Sequence, residues 1–538
     1  MKIELIQLKQ LLSGKKSTIL LNRSLGLIII DIIKEDKMIL YRNECNCLDY
    51  EFEDVIKLFF LPFEIKKTDE PWDKCSEAFL LCTKSVSEGM EYINLQLRDH
   101  EFNKLERIPC DNIFSCENKE TLRVFKRIIK RRLFLLLKQY TGRTIPWGIL
   151  TGIRPTKLVN EFLDDGTSRE EIISTLKRDY FVTDNKASLL YEVAENQRAM
   201  FLNSSKKSIS VYIGIPFCPT RCLYCSFSSS TIGQYKKVID AYVETLLKEI
   251  QYCGKLIKDN NLEIESLYIG GGTPTSLKTH QLSKLLEGIE HYLDISKLKE
   301  YTIEAGRPDT IDIDKLKIIS NSSITRISIN PQTMNGVTLE KIGRRHSPED
   351  IEKAFFMARD MGFDNINMDL ICGLPGEDVD MFRYTLEKIK LMKPDSLTVH
   401  TMAIKRASRL TEEIENYHLD QQYKQVPEMV ELAHEYSAQM GLIPYYLYRQ
   451  KNILGNLENV GYSKKNKECL YNIQIMEERQ SILACGAGAA TKVIFPHNRI
   501  ERAFNVKTVE EYLLRIDEMI ERKVNLINHL KIINIDNS

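Results

Sequence analysis

Neither sign of charge predominates in this 538-residue sequence: Lys and Arg total 75, Asp and Glu total 75, and the formal net charge is zero. A chain without a basic excess has no bulk-charge basis for binding nucleic acid. The opening MKIELIQLKQ lacks the apolar core and cleavage site of a signal peptide. The most apolar early run, Leu25 to Ile33, is broken by Asp31 and is far too short to span a bilayer. No repeat of fixed period and no low-complexity stretch is present. With 43% hydrophobic and 28% charged residues, the composition is that of a globular chain and too apolar for a disordered one. These absences predict a cytoplasmic protein with no membrane span. At roughly 150 residues per domain, its length suggests about three or four compact units.

The 13 cysteines are odd in number, and most stand alone in apolar or helical surroundings, as reduced thiols do. Cys218, Cys222 and Cys225 are the exception, spaced C-x-x-x-C-x-x-C. Structural zinc usually takes four ligands in two paired knuckles, and no second C-x-x-C occurs. Accidental clustering or a zinc site is one reading. A three-thiolate site otherwise suits a cubane iron–sulfur cluster with one iron left unligated by protein.

Along the chain, residues 1–118 mix short apolar runs (Thr18–Leu21, Leu25–Ile33) with charged turns and predict a small α+β domain. Residues 119–203 read as a helical region. There Leu122, Phe125, Ile128, Ile129 and Leu133 recur at helical spacing beside a basic stripe of Lys126, Arg127, Lys130, Arg131 and Arg132. From 204 to 441, β-branched runs alternate with amphipathic stretches. Strands are expected at 210–216, 266–269, 301–304, 326–330, 365–371 and 396–401, and helices at 235–252, 279–292 and 348–361. Six strands with intervening helices predict an α/β fold, an incomplete (β/α)6 barrel core. The Tyr-rich residues 442–538 are expected to form a C-terminal helical cap.

Barrel sites sit at the C-terminal ends of strands, and polar residues recur there. The first strand runs into the cysteines through Tyr212-Ile-Gly-Ile-Pro-Phe-Cys218. The second ends in Gly270-Gly-Gly-Thr-Pro-Thr275, whose glycines permit close approach of a charged amino acid moiety to the backbone. That turn has neither the GxxxxGK spacing of a P-loop nor the GxGxxG of a dinucleotide fold. The third strand ends at Glu304, the fourth precedes Gln332 and Arg344, and the fifth carries Asp369. Each alone is an ordinary cap or surface residue; one site built from several strands explains them together.

The cysteine triple, the glycine turn and the strand pattern resemble the radical S-adenosylmethionine superfamily. Within it, Cys-x-Tyr-Cys, GGGTPT and Asp369-Leu-Ile-Cys-Gly-Leu-Pro375 resemble the oxygen-independent coproporphyrinogen III oxidase (coproporphyrinogen dehydrogenase) group. Pro146-Trp-Gly-Ile-Leu-Thr-Gly-Ile-Arg-Pro-Thr-Lys157 and Glu304-Ala-Gly-Arg-Pro-Asp309 are most similar to its HemZ-like branch. The resemblance implies a [4Fe–4S] cluster on Cys218, Cys222 and Cys225. It also implies S-adenosylmethionine held by Tyr212, Gly271 and Glu304. Tyr224, Gly272, Thr273, Gln332, Arg344, Asp369 and Ala403 match positions around a second S-adenosylmethionine, with Ile371 packing on adenine and a further contact in Gly486-Ala-Gly-Ala-Ala490.

The implied reaction is oxidative decarboxylation of two coproporphyrinogen propionates to vinyl groups in haem biosynthesis, by a monomer supplied by an electron donor such as flavodoxin or ferredoxin. The alternative is a haem-binding chaperone-like or haem-modifying relative, methylating or ring-opening. A cationic rim for the tetrapyrrole carboxylates is expected among Arg307, Arg345, Lys405, Arg406 and Arg449, with Tyr445, Tyr446 and Tyr448 against the macrocycle. One departure stands out: the family commonly has His two residues after the strand tyrosine, where this chain has Gly214.

Overall fold

The computed structural model describes residues 21–23, 26–28, 38–45, 48–60, 64–69, 77–110, 119–202, 204–205, 207–227, 230–413, 417, 419–496 and 499–536. The chain divides into two compact units, Met1–Thr144 and Ile145–Ser538. The helical stretch expected over 119–203 is shared between them: Lys119–Thr141 belongs to the first, and Thr156–Asp164, Arg169–Tyr180 and Asp184–Leu202 belong to the second.

In the first unit a five-stranded sheet is ordered Ile65–Lys67, Ile39–Asn43, Ala78–Ser87, Met90–Arg98, Asn103–Pro109. Ile93, Leu95 and Leu97 are fully buried, alternating with half-buried neighbours. That is the period-two pattern of a strand with one packed face. Helix Lys119–Thr141 turns Phe125, Ile129 and Leu133 inward. Lys126 of its basic stripe reaches Glu51 at 2.8 Å, so part of that stripe is spent inside the unit. Of the early apolar runs, Leu21–Arg23 and Gly26–Ile28 pair as short antiparallel strands; the rest lies outside the described residues.

The second unit is built on an eleven-stranded sheet. In chain order its strands are β1 Ser208–Ile215, β2 Glu263–Gly271, β3 Glu300–Glu304, β4 Arg326–Ser328, β5 Ile366–Cys372, β6 Ser396–Thr401, β7 Ile443–Tyr448, β8 Asn459–Ser463, β9 Ile482–Cys485, β10 Ala490–Ile494 and β11 Ile500–Phe504. The spatial order is β7-β8-β6-β5-β4-β3-β2-β1-β9-β10-β11. Strands β1 to β6 are parallel neighbours in sequence order, as the strand–helix alternation predicts. Among the described residues β7 and β11, the two ends of this order, do not pair with one another.

The crossover helices include Ile239–Asp259, Thr279–Tyr292, Ile313–Ser320, Pro348–Asp360 and Val379–Met392. Asp312, Ser347 and Asp378 start three of them, each accepting the backbone N–H three residues on. The helix expected from 235 instead starts at Ile239, because Ile232–Tyr235 forms a separate short turn of helix.

The C-terminal segment corrects the expectation of a helical cap. Besides the helices Leu470–Glu477, Val509–Leu514 and Ile516–Asp536, it supplies five strands. Strands β7 and β8 extend the sheet antiparallel beyond β6, while β9 pairs parallel to β1 on the opposite flank. The reason is length: a four-residue apolar run such as Ile482-Leu-Ala-Cys485 has no periodicity to distinguish strand from helix. Only the exposed edge of β1 gives it a ladder.

The Pro146–Lys157 string is welded to this C-terminal part. Trp147, fully buried, donates its indole N–H to Glu458 at 2.6 Å. Thr156 and Asn160 donate to the two oxygens of Glu477 at 2.7 and 2.8 Å. Lys186 completes the network, 2.7 Å from buried Glu458 and 2.6 Å from Glu431. Lys186→Met would strand the Glu458 charge in the core, so a loss of about 3 kcal/mol is expected in urea denaturation of the full chain. An unchanged midpoint would mean that the pair contributes nothing net.

Candidate functional site

Strand β1 leads directly into the cysteine loop. Phe217–Cys218 pairs in parallel with Ser230–Thr231 and closes the loop at its base. Within it, Leu223 N–H donates to Ile342 O at 3.0 Å and Leu223 O accepts from Leu410 N–H at 2.9 Å. Thr220 donates to Gly343 O at 2.7 Å, and Arg221 to the carbonyl of Ala407. The loop is therefore held at several points by surrounding backbone. Cys222 is buried, Cys218 and Cys225 are half-buried, and none of the three forms a disulfide. Burial pushes the Cys225 thiol up, with nearby Lys405 acting the other way.

The glycine turn after β2 is zipped to the same loop. Gly272 N–H donates to Ile215 O and Thr273 N–H to Phe217 O, both at 2.7 Å. Gly271 has φ +108°, and a Cβ on Gly272 would lie 2.5 Å from Phe217 O, so this approach admits only glycine. The Thr273 hydroxyl sits 3.5 Å from Cys218 Sγ.

Glu304, at the end of β3, accepts the Tyr268 hydroxyl at 2.6 Å. Burial, helped by the charge of Asp369, pushes its carboxyl up to about 7, against the hydrogen bonds from Tyr268 and Gly271 N–H. Strand register places Tyr212 beside Tyr268. Tyr471 stacks on both, with ring centroids 6.0 Å from Tyr212 and 4.6 Å from Tyr268. Tyr212, Gly271 and Gly272 line one small cavity together with Ala487, Gly488 and Ala489 of the turn after β9, the Gly486–Ala490 segment expected to reach the site. Gly486 makes this possible: a Cβ there would lie 2.4 Å from Gly214 O. At Gly214 itself a Cβ would meet Cys485 O and the Tyr212 ring at 3.4 Å. That is ordinary contact, so the backbone admits a Cβ there.

A second group of expected residues lies along β4, β5 and β6. Asn367 donates to Asp369 Oδ1 at 2.7 Å, and His400 Nε2 stands 3.7 Å from Oδ2. Burial opposes the Asp369 charge, but His400, Asn367 and Thr398 outweigh it and hold the carboxyl below its usual range. Tyr448 lies 3.1 Å from His400 Nδ1. Gln332, in the left-handed region at φ 70°, is bridged to β5 through the Asp369 carbonyl and the Ile371 N–H. Ile371 and Ala403 are buried, and Ala403 bridges to Ile453. Arg344, also buried, donates to the carbonyls of Gly306 and Asn330, and its Nη2 lies 3.4 Å from the Tyr224 hydroxyl.

The expected cationic rim is only partly present. Arg307 is 2% exposed and turned toward the cysteine loop. Arg449 is 4% exposed, donating to the carbonyls of Leu150, Asn456 and Leu457 and lying over Trp147. Tyr445 and Tyr446 are likewise buried. Arg345 and Arg406 are exposed and Lys405 half-buried. Sequence reasoning missed Tyr268, Tyr471 and His400. Tyr268 was accessible in principle, two residues before Gly270 on a strand and so on the same face; Tyr471 carries no such signal.

The sequence matches the radical SAM superfamily over residues 212–389. It is 42% identical over 416 residues to the Bacillus subtilis (strain 168) oxygen-independent coproporphyrinogen-III oxidase-like protein HemZ, covering 77% of this chain and 83% of that one. The chain belongs to the HemZ family of radical SAM proteins. A more partial likeness links this HemZ-family chain to the heme chaperone HemW of Lactococcus lactis subsp. lactis, 37% identical over 203 residues, 37% of this chain and 50% of the relative. Among solved structures, Escherichia coli coproporphyrinogen III oxidase (HemN), a radical SAM enzyme, is 22% identical with a TM-score of 0.46, covering 60% of this chain and 73% of that one.

The cofactors of the superfamily are a [4Fe–4S] cluster and S-adenosylmethionine, and the donor set fits them. Three thiols on one loop, with no second C-x-x-C in the sequence, suit thiolates that each meet a different iron better than the paired knuckles of structural zinc. The Gly271–Gly272 turn leaves bare backbone beside those thiols, where a polar ligand can approach. Gly272→Ala is expected to push the turn off the loop and lower iron retention after reconstitution by about tenfold. Iron and sulfide assays check this, and wild-type retention would show that the turn does not support the loop.

Proposed function

We propose that this chain is an oxidoreductase of radical SAM type that decarboxylates two propionates of coproporphyrinogen III to vinyl groups, without oxygen, in porphyrin biosynthesis. The observation that carries the radical chemistry is the meeting of the three cysteine thiols, the glycine turn and Glu304 at adjacent strand ends. The name borne by the Bacillus subtilis relative supports the substrate.

In this reading Cys218, Cys222 and Cys225 hold the cluster, and Tyr212, Gly271 and Glu304 hold S-adenosylmethionine. When bound, the cluster supplies the electron that cleaves S-adenosylmethionine to methionine and a 5′-deoxyadenosyl radical. Glu304 accepts hydrogen bonds from ribose hydroxyls, oriented by Tyr268. The stacked rings of Tyr212, Tyr268 and Tyr471 form an apolar wall that keeps water from the reacting face. Tyr224, Gly272, Thr273, Gln332, Arg344, Asp369, Ile371 and Ala403 surround the place of a second S-adenosylmethionine. Arg345, Lys405 and Arg406 are the cations left to meet substrate carboxylates. Each propionate loses a hydrogen atom from its β-carbon, then CO₂ and one electron to an external acceptor. The reducing electron comes from a donor such as flavodoxin or ferredoxin.

The test is anaerobic reconstitution with iron and sulfide, then incubation with dithionite, S-adenosylmethionine and coproporphyrinogen III. Mass spectrometry is expected to find 5′-deoxyadenosine and a tetrapyrrole lighter by two CO₂ and four hydrogens. Deoxyadenosine with an untouched porphyrinogen would overturn the substrate while leaving the radical chemistry standing. Stoichiometric haem binding without turnover would favour a chaperone.

A further inference from the structure

Arg307 follows β3 by three residues and is the best-buried arginine near the cysteine loop, at 2% exposure. Its guanidinium is fully engaged. Nε and Nη2 reach the two oxygens of Asp309 at 3.1 Å each, in a fork, and Nη1 and Nη2 both reach the Thr220 hydroxyl at 3.1 Å. Thr220 passes the link on to Gly343 O at 2.7 Å. The remaining contact is to sulfur: Nη1 donates to Cys222 Sγ at 3.6 Å. Arg344, 7% exposed, is also close to this sulfur.

The three thiols are thus not equivalent. Cys218 has the neutral hydroxyl of Thr273 beside it, and Cys225 has Lys405 nearby. Cys222 has a hydrogen bond from a fixed, buried guanidinium. A cluster held by thiolates gains one negative charge on reduction. A buried positive charge hydrogen-bonded to a ligating sulfur stabilises that reduced state, and in a low dielectric the effect is large. Hydrogen bonds to sulfur are among the known determinants of iron–sulfur potentials.

We infer that Arg307 is a positioning residue for the cluster: its hydrogen bond to Cys222 Sγ raises the reduction potential, and Asp309 limits how far by neutralising part of the guanidinium. The inference rests on Cys222 being a cluster ligand. It also explains why this arginine is withdrawn from the substrate rim. Its side chain is committed to the sulfur, to Thr220 and to Asp309.

The test is a redox titration of reconstituted full-length protein with dithionite and mediators, followed by electron paramagnetic resonance, with iron and sulfide assayed in parallel. Arg307→Gln is expected to move the midpoint to a more negative potential, and Arg307→Lys to move it less. Asp309→Asn is expected to move it the opposite way. A merely structural role would alter iron content without this opposed pair of shifts. If Arg307→Gln loads no iron, Asp309→Asn decides alone. Loaded variants with the wild-type midpoint would overturn the inference by itself. A wild-type protein that takes up no iron under the same treatment would overturn the cluster reading, and this inference with it.

Discussion

Cys222→Ser is expected to abolish the radical chemistry and most of the bound iron. Cys222 is the most buried of the three thiols and the one against which Arg307 is packed. Serine is a hard oxygen donor with an alcohol's reluctance to ionise, poorly matched to iron that favours soft thiolate. The change also replaces the sulfur that Arg307 faces with a neutral hydroxyl, while Asp309 and Thr220 still hold the guanidinium. Loss of a partner behind a ligand typically weakens a metal site by about 10–100-fold, so loss of the ligand itself should exceed that. The measurement is iron per chain after anaerobic reconstitution, the brown absorption of the protein, and 5′-deoxyadenosine release under dithionite. Full iron content with undiminished S-adenosylmethionine cleavage would remove Cys222 from the site.

The second large effect concerns Glu304 and pH. Its carboxyl is pushed up to about 7, first by burial and then by Asp369. An ordinary glutamate has ionised well below this. The carboxylate, a stronger acceptor for ribose hydroxyls than the neutral acid, is therefore complete only above about pH 7. S-Adenosylmethionine affinity of the reconstituted protein should fall as pH drops below 7, by at most about tenfold per unit.

The protein without S-adenosylmethionine should respond in the opposite sense. A folded-state pKa above the unfolded value means that the folded chain binds the extra proton. This group's contribution to stability is then greatest below about 4.5, declines as pH rises from about 4.5 to about 7, and is flat above. Glu304→Gln should abolish both dependences, bind S-adenosylmethionine weakly at every pH, and raise the thermal midpoint of the unliganded protein at pH 8. A wild-type affinity unchanged between pH 6 and pH 8 would rule out the carboxylate as the acceptor.

Much of the site was legible because its residues occupy repeating positions. Gly271 and Glu304 end their parallel strands and Asp369 lies midway along its own, and the strand–helix alternation announces the strands. The cysteine spacing is local and needs no fold to be seen. What eluded the sequence came from elements remote along the chain. Tyr471 reaches Tyr212 from a helix some 260 residues away in a segment read as a cap, and Ala487 to Ala489 enter the cavity only because β9 adds beside β1. Arg307 and Arg449 look alike in sequence as spare cations. The structure instead gives Arg307 to Cys222 and Asp309, and Arg449 to backbone carbonyls.

The amino-acid pattern alone therefore determined the parallel core, the thiol trio and the strand-end polar groups, since periodicity and short spacings are properties of neighbouring residues. Tertiary structure decided which charges face the thiols, which tyrosines stack, and how the C-terminal strands complete the sheet. Those outcomes depend on burial and on strand register across hundreds of residues. There the free energy of desolvating a guanidinium or a carboxyl, rather than any local preference, selects the partner.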